Sequence, residues 1–309
     1  MKFIILALML LSAAFATHPV SKEIVEEIKK STTQWWPVEP ENNVFQFHNE
    51  EQITAMLGTK MDIERDIKVA EEMGLFDYNM ESVESVPAAF DSREEWGESC
   101  PFDIKDQGQC GSCWAFGAVE SLEDRICIQS KGAFKSDLSE QHLVTCDWVG
   151  MGCSGGWPLS AFGYLSIFGV PTEECQAYTA GQSGEDWGCS SACDDSSVSN
   201  QKYRCQYPWM NFSASGIKSE LKARGPVETT MMVYEDFINY QGGIYKHVTG
   251  KLLGGHAIKM VGWGIEEGVK YWIAANSWSA TWGEDGYFRI EEGTSSFGGS
   301  AYSCTPYAY

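Results

Sequence analysis

The chain has 309 residues, a formal net charge of −21 at pH 7, and 43% hydrophobic residues. This apolar content is sufficient for a folded core, and the many Trp, Tyr and Phe residues argue against wholesale disorder. A chain this acidic, without a basic run, is a poor candidate for binding nucleic acid or an anionic membrane surface.

A secretory signal peptide is the first predicted element, at residues 1–16. Lys2 precedes an unbroken apolar run, Phe3–Leu11, and Ala14-Phe15-Ala16 has the small-x-small form of a cleavage site. The run is too short to span a bilayer. We therefore expect cleavage after Ala16 and a soluble product of the secretory pathway, in a lysosome or vacuole or outside the cell.

Residues 17–85 form an acidic stretch without cysteine, which we term the N-terminal block. Apolar residues at helical spacing predict one helix over Val20–Ile28 and a weaker one over Ile63–Met73. Between them, the aromatic residues of Trp35–Pro37 and Phe45–Phe47 look exposed. These residues alone leave two interpretations open: a small N-terminal subdomain, or a pro-segment that folds against the rest of the chain.

Residues 86–309 are rich in cysteine and glycine and change character partway along. Helices are predicted over Gly111–Arg125, 138–145 and 218–224. Strands are predicted over Val227–Tyr234, His256–Trp263, Lys270–Ala275 and Gly286–Ile290, with a hairpin turn at Glu266–Gly268. The pattern indicates an α+β protein of two lobes, one helical and one an antiparallel sheet or barrel, with a cleft between them.

The eleven cysteines all lie after residue 99, and in an oxidising compartment we expect them to pair. They are Cys100, Cys110, Cys113, Cys127, Cys146, Cys153, Cys175, Cys189, Cys193, Cys205 and Cys304. An odd number leaves at least one free thiol. Asn211-Phe212-Ser213 is a candidate N-glycosylation site in the same part of the chain.

The stretch Gln107–Phe116 carries the clearest chemistry. Its second cysteine, Cys113, stands at the start of a predicted helix, where backbone N–H groups and the helix dipole favour a thiolate. The thiolate is the nucleophilic form of cysteine, and a neighbouring imidazolium would lower the thiol pKa further. Cys113 is therefore the candidate nucleophile.

His256 is the candidate base among the five histidines. It follows Gly254-Gly255, which leave room for a substrate chain, and it opens an apolar strand. Asn276 follows the next predicted strand and could fix the orientation of the His256 ring. Trp278 could shield the hydrogen bond between His256 and Asn276 from water. We expect His18, His48, His142 and His247 to be structural or solvated.

With these residues the chain resembles the papain-like (C1) cysteine peptidases. Their Cys-Gly-Ser-Cys-Trp motif is present at Cys110–Trp114. His256 lies 143 residues (256 − 113) after Cys113, within the spacing typical of the family, and Asn276 lies 163 residues (276 − 113) after it.

The resemblance is strongest to the cathepsin B-like members of that family. It rests on Val86–Arg93, Asp124–Cys127, Gly225–Glu228 and Gly254–Ile258. The N-terminal block resembles their short propeptide at Asn43, Phe45 and Leu57-Gly58. The resemblance implies a papain-like two-lobe fold, an inhibitory propeptide at residues 17–85 and a mature peptidase domain at residues 86–309.

The resemblance also implies a role for each site residue. Cys113 would be the nucleophile, His256 the general base and then acid, Asn276 the residue that orients His256, and Gln107 an oxyanion donor together with the Cys113 backbone N–H. Substrate-binding positions would be Gly155, Gly156, Pro158, Thr230, Ala257, Trp278, Trp282 and Ser300; for Trp282 the alternative is core packing, and for the two glycines it is a tight turn.

Four disulfides are implied in the same way, with Cys113 left free. They are Cys100–Cys127, Cys110–Cys153, Cys146–Cys189 and Cys175–Cys193. Cys205 and Cys304 remain, and the sequence does not decide whether they form a fifth bridge.

Two features depart from the cathepsin B pattern. The interval Cys175–Cys205 corresponds to an occluding loop whose histidines hold the C-terminal carboxylate of a substrate, yet here it has no histidine. It is acidic instead, at Glu185, Asp186, Asp194 and Asp195. We therefore expect an endopeptidase with an open cleft, and weak or absent dipeptidyl carboxypeptidase activity. Ser300 replaces a glutamate in the S2 pocket, so we expect neutral or apolar P2 residues.

The implied partners are protein and peptide substrates, the chain's own propeptide as an intramolecular inhibitor, and cystatin-type inhibitors. We expect a monomer that needs no cofactor or metal. Two other classes of function are a non-catalytic secreted binding module and a thiol–disulfide oxidoreductase using Cys110 and Cys113. The oxidoreductase would leave Gln107, His256 and Asn276 unexplained.

Overall fold

The computed structural model describes residues 18–73, 86–186 and 188–309. The predicted signal peptide and the predicted end of the N-terminal block at residue 85 lie outside these ranges. Across the described ranges, no helix is both long enough and apolar enough to cross a membrane.

The N-terminal block contains helices where its apolar spacing predicts them. Helix α1 (Lys22–Ser31) begins after Ser21, whose side chain accepts a hydrogen bond from the Ile24 backbone N–H. Strand β1 (Trp35–Pro37), helix α2 (Glu50–Ala55) and helix α3 (Ile63–Met73) follow. Both helix predictions are confirmed, and α3 begins at the predicted residue.

The helical lobe is built around α5 (Cys113–Gln129), which is buried from Cys113 to Cys127. It begins two residues later and ends four residues later than predicted. The other helices of this lobe are α4 (Ser92–Trp96), α6 (Glu140–Cys146), α7 (Pro158–Ile167) and α8 (Ala180–Ser183). Because α5 is covered on all sides, its charged residues must find partners inside the protein, and Arg125 and Glu220 form one such buried pair at 2.8 Å.

The second lobe is a nine-stranded sheet with β1 at one end. Its further strands are β2 (Phe90–Asp91), β3 (Cys205–Asn211), β4 (Val227–Tyr234), β5 (Tyr240–Tyr245), β6 (Leu252–Glu266), β7 (Val269–Ala275), β8 (Tyr287–Glu291) and β9 (Ala301–Pro306). The order is β1-β5-β8-β7-β6-β4-β9-β3, with β2 on β6. Helix α9 (Ala214–Arg224) packs Ile217 and Leu221 into the core of this lobe.

Of the two expected forms, an antiparallel sheet or barrel, the second lobe is an open sheet, and one of its strand pairs is parallel. Strands β5 and β8 are parallel, whereas the other neighbouring pairs are antiparallel. In the described residues the path also stays open between β1 and β3 rather than closing on itself. The papain-like arrangement of a helical lobe beside a sheet lobe is nevertheless the one expected.

The N-terminal block packs against both lobes. Strand β1 pairs with β5, and Trp35 packs between Tyr240 and Tyr245, with ring centroids 6.1 and 5.2 Å away. Phe45 is likewise buried, with its ring 5.3 Å from Trp278. The expectation of exposed aromatics is therefore wrong for Trp35 and Phe45, because their partners lie some two hundred residues away in the sequence; it holds for Trp36 and Phe47.

Five disulfide bonds join ten of the eleven cysteines. They are Cys100–Cys127, Cys110–Cys153, Cys146–Cys189, Cys175–Cys193 and Cys205–Cys304. The first four are the pairs that the resemblance implies, and the fifth joins the two cysteines whose pairing the sequence left open. The fifth links β3 to β9 across 99 residues of chain.

Candidate active site

Cys113 lies between the two lobes as the first residue of α5. It is fully buried and is the one cysteine outside the five disulfides. The chain enters the helix through the Cys110–Cys153 bridge and through Gly111, whose backbone N–H donates to the Cys153 carbonyl at 3.0 Å. These restraints hold the thiol at the helix N-terminus, where the dipole favours an anion.

His256 and Asn276 come from the sheet lobe. His256 lies on β6, and its Nε2 is 2.8 Å from Oδ1 of Asn276, which follows β7. Because Oδ1 can only accept, Nε2 carries the proton and Nδ1 is left as the basic nitrogen. Trp278 stacks on the imidazole with ring centroids 4.7 Å apart, so it shields this hydrogen bond from water. Nδ1 itself has no hydrogen-bond partner among the described residues.

Gln107 is held rigidly in the helical-lobe wall of the cleft. Its Oε1 accepts a hydrogen bond from the Ser277 hydroxyl at 2.7 Å, and its backbone N–H donates to the Ser277 carbonyl at 2.9 Å. The amide Nε2 donates to the carbonyls of Cys110 at 2.7 Å and Met56 at 2.9 Å. The Met56 carbonyl of the N-terminal block therefore occupies the Gln107 amide, which is one of the two expected oxyanion donors.

The segment Met56–Lys60 of the N-terminal block lies in the cleft, where Gly58 and Thr59 form strand-like parallel bridges to Gly255 and Gly156. Gly156 pairs with it through two hydrogen bonds, from its own N–H to the Gly58 carbonyl at 3.0 Å and from the Lys60 N–H to its carbonyl at 2.8 Å. On the opposite wall, the Thr59 N–H donates to the Gly255 carbonyl at 3.2 Å. Thr59 Oγ1 lies 3.1 Å from Cys113 Sγ.

Covering the site changes the ionisation of both reactive groups. Burial lowers the pKa of His256 to about 4, against the opposing hydrogen bond to Asn276. Burial raises the pKa of the Cys113 thiol, although hydrogen bonds from Thr59 and from backbone groups lower it. Both shifts favour the neutral thiol and the neutral imidazole over the expected ion pair, because the N-terminal block excludes the water that would solvate that pair.

The remaining expected substrate-binding residues are distributed over both walls. Thr230 on β4 and Ala257 on β6 are directly opposed in register, and the Ser300 carbonyl accepts from the neighbouring Thr229 hydroxyl. Pro158 begins α7 on the opposite lobe. Gly155 has a φ of 111° and lies so close to Gly58 that a Cβ would be 2.1 Å from the Gly58 carbonyl oxygen.

Trp282 is buried in the core of the sheet lobe, where it packs at 5.3 Å from Trp278. Val38 and Asn43 of the N-terminal block border the same small cavity as Trp282. Trp282 thus takes the core-packing position named as its alternative, and it also lies beneath the N-terminal block.

The interval after Cys175 lies beside the cleft without any imidazole in it. The hydroxyl of Tyr178 donates to the Gln107 carbonyl at 2.8 Å, and the Gln109 N–H donates to the Gly181 carbonyl at 2.8 Å. Both cations of the interval are engaged elsewhere: Lys202 Nζ lies 3.3 Å from His142 Nε2, and Arg204 lies over the Tyr307 ring.

Sequence reasoning missed several contributors to the site. Ser277 holds the Gln107 side chain, Met56 occupies its amide donor, and Thr59 lies against Cys113. The sequence signals for these residues were the Asn276-Ser277-Trp278 run and Leu57-Gly58. Glu228 packs against Gly117 of α5, and the sequence marks it only as part of the Gly225–Glu228 stretch, without a role. Among the described residues, no cluster of three or more His, Cys, Asp or Glu is arranged to hold a metal ion.

Comparison with known proteins shows the family to which the chain belongs. The family model "Papain family cysteine protease" matches residues 86–306. The "Gut-specific cysteine proteinase" of Caenorhabditis elegans is 42% identical over 229 residues, which cover 68% of this chain and 70% of that protein. The chain therefore belongs to the papain family of cysteine proteases.

Within that family the chain is cathepsin B-like. "Cathepsin B-like CP3" of Giardia intestinalis is 36% identical over 284 residues, covering 91% of this chain and 92% of that protein. The structure of "proCathepsin B S9 from Trypanosoma congolense" superimposes with a TM-score of 0.82 at 29% identity, covering 95% of this chain and all of that one. A "digestive procathepsin L 3" of Tenebrio molitor larval midgut gives a TM-score of 0.71 at 25% identity, covering 92% of this chain and 86% of that one.

Proposed function

We propose that this protein is a cysteine endopeptidase of the secretory pathway, made as a zymogen whose N-terminal block is an inhibitory pro-segment. Its place of action would be a lysosome or vacuole or the extracellular space. The procathepsin structures that align with nearly the whole chain support a pro-segment at this position. The contacts of Met56, Gly58 and Thr59 with the site support its inhibitory role.

The reaction would proceed through two displacements once the pro-segment leaves. His256 takes the Cys113 proton, and the thiolate attacks the peptide carbonyl carbon to give a tetrahedral oxyanion that Gln107 Nε2 and the Cys113 N–H stabilise. His256 then protonates the leaving amine, and a thioester remains. A water that gives its proton to His256 attacks the thioester, releasing the acid and restoring the Cys113 thiolate and the protonated imidazole.

The composition of the interval Cys175–Cys205 is the observation that favours endopeptidase activity over dipeptidyl carboxypeptidase activity. A clamp for the C-terminal carboxylate of a substrate needs a cation, and this interval has no histidine. Its Lys202 and Arg204 contact His142 and Tyr307, and its exposed carboxylates would repel the substrate carboxylate. We therefore expect internal cleavage. The expected preference for neutral or apolar P2 residues rests separately on Ser300, which stands where a glutamate would accept arginine.

Products from a long peptide with a free C-terminus test the proposal. The wild-type enzyme, freed of its pro-segment, should give internal fragments in mass spectra at acidic pH. A peptide with an amidated C-terminus should be cut at the same bonds and at a similar rate, because cleavage would not depend on binding of the C-terminal carboxylate. Stepwise loss of dipeptides that amidation prevents would instead establish the carboxypeptidase.

Replacing Gln107 with alanine should lower kcat about 100-fold with little change in KM, because the amide stabilises charge that exists only in the transition state. Gln109→Ala is the matched control, since Gln109 is two residues away and its side chain has one hydrogen bond within the described ranges, 3.4 Å to Met56 Sδ. Steady-state kinetics of both variants check this. Equal losses in the two would argue for a general disturbance of this loop.

A further inference from the structure

Glu228 on β4 is a buried carboxyl group that the proposed mechanism does not use. Its residue is 0% exposed, and neither side-chain oxygen has a hydrogen-bond partner among the described residues. A carboxylate in such surroundings costs far more free energy than a neutral acid. Consistently, burial raises the pKa of Glu228 well above its usual value.

Glu228 packs directly against the helix that carries the thiol. Gly117 lies four residues after Cys113 on α5, and a Cβ at Gly117 would be 2.8 Å from Glu228 Cγ and 3.0 Å from its Oε1. The thiolate charge of Cys113 raises the pKa of Glu228 further. Because such coupling is reciprocal, an ionised Glu228 must raise the pKa of the Cys113 thiol.

The other charged and titratable groups around Glu228 do not neutralise it. On α5, Glu120 is a second acid that disfavours its ionisation. On β6, Lys259 is opposite Glu228 in register, but its ammonium group forms ion pairs with Asp124 at 2.8 Å and with Glu120 at 3.3 Å. On β9, Tyr302 is also opposite in register, and its hydroxyl donates to Asp66 of the pro-segment at 2.8 Å.

We infer that Glu228 is a positioning residue that acts through Cys113 and sets the upper pH limit of activity. Protonated, it permits the thiolate–imidazolium pair. As the pH rises through its elevated pKa, the new carboxylate opposes the neighbouring thiolate, and the proton returns from His256 to Cys113 Sγ. The inference rests on the proposed cysteine-peptidase function and adds a cause for its loss of activity at high pH.

The pH profile of kcat/KM for the enzyme freed of its pro-segment tests this inference. Glu228→Gln keeps the shape of the protonated acid and cannot ionise, so it should match the wild type at pH 5 and exceed it about three- to tenfold at pH 8. The acid limb should not move. Glu120→Gln is the control, because it removes a nearby charge that is already paired with Lys259; it should shift the alkaline limb less.

Iodoacetamide alkylation of Cys113 over the same pH range supplies a readout of the thiolate that does not depend on turnover. The wild-type rate should fall where Glu228 ionises, and the Glu228→Gln rate should not. Superimposable profiles of the two proteins would overturn the inference while leaving the proposed function intact. A wild-type alkaline limb described by one ionisation, that of the imidazolium, would overturn it without any variant. Absence of Cys113-dependent cleavage at every pH would instead remove the proposed function.

Discussion

Replacing Cys113 with alanine should reduce peptide hydrolysis by roughly 10⁴-fold or more, because no second group at the site can form the thioester. His256→Ala should cause a loss of similar size, since the two residues act as a unit and their effects do not add. Initial rates on an internally quenched peptide, measured after the pro-segment has been removed by an added protease, check both variants.

The Cys113→Ala protein also supplies its own folding control. Cys113 is the one cysteine outside the five disulfides, so the variant should keep every bridge and lose all reaction with a thiol reagent under non-reducing conditions. Cleavage at the wild-type rate by a variant verified in this way would show that another group is the nucleophile. Binding of peptide by an inactive wild type would favour the non-catalytic binding module.

Predictions of the fold succeeded where local pattern dominates. Strand β4 has the predicted limits, because it is rich in β-branched residues and follows Gly225-Pro226, which ends the preceding helix. Strands β3 and β5 were missed for identifiable reasons: β3 contains Pro208 and shifts register between Gln206 and Trp209, and β5 contains two glycines. Their pairing depends on partners distant in the sequence, which a local pattern does not report.

Helix α7 was missed for a different reason. It is apolar over most of its length and includes Gly163, so it shows no polar face by which a helix is recognised in a sequence. Similarly, β6 extends well beyond the predicted His256–Trp263, because its first residues, from Leu252, are glycine-rich and gain their extended form by pairing with β4.

The sequence names the residues that meet in the candidate site, but it does not indicate the protonation state of those residues when the site is covered. Cys113, His256, Asn276 and Gln107 are brought to one cleft, as the resemblance implies. The expected thiolate, however, depends on water and on open space, and the sequence does not show that Thr59 would lie against the sulfur. The ionisation of a site depends on what covers it, so it follows from tertiary contacts rather than from motif spacing.

These contacts suggest how the proposed inhibition would work. The Met56 carbonyl of the N-terminal block accepts a hydrogen bond from Gln107, its Thr59 hydroxyl lies against Cys113 Sγ, and Gly156 and Gly255 hold its backbone. Such a strand must approach the catalytic loop very closely. Gly58 is the residue at the closest point, because a Cβ there would lie 1.8 Å from the Gly111 carbonyl oxygen.

Gly58→Ala should therefore expose the active site in the uncut zymogen. The new methyl group meets main-chain atoms, which cannot swing aside as a flexible side chain can, and overpacking of this kind costs about 1–3 kcal/mol. If that cost falls on the cleft-bound strand, the exposed fraction should rise about 10- to 100-fold. The rate of Cys113 alkylation by iodoacetamide in the intact zymogen measures this fraction directly, because the other ten cysteines are bridged.

The matched control for Gly58→Ala is Gly163→Ala, where an added Cβ has no heavy atom within 4 Å. It makes the same chemical change away from the cleft and should leave the alkylation rate unchanged. Once the pro-segment is removed, Gly58→Ala and wild type share one mature sequence and must have equal activity, so any difference in the zymogen belongs to the pro-segment. Wild-type alkylation in the Gly58→Ala zymogen would mean that the strand shifts without leaving, and that the Met56 and Thr59 contacts, rather than the tight approach of Gly58, hold it in place.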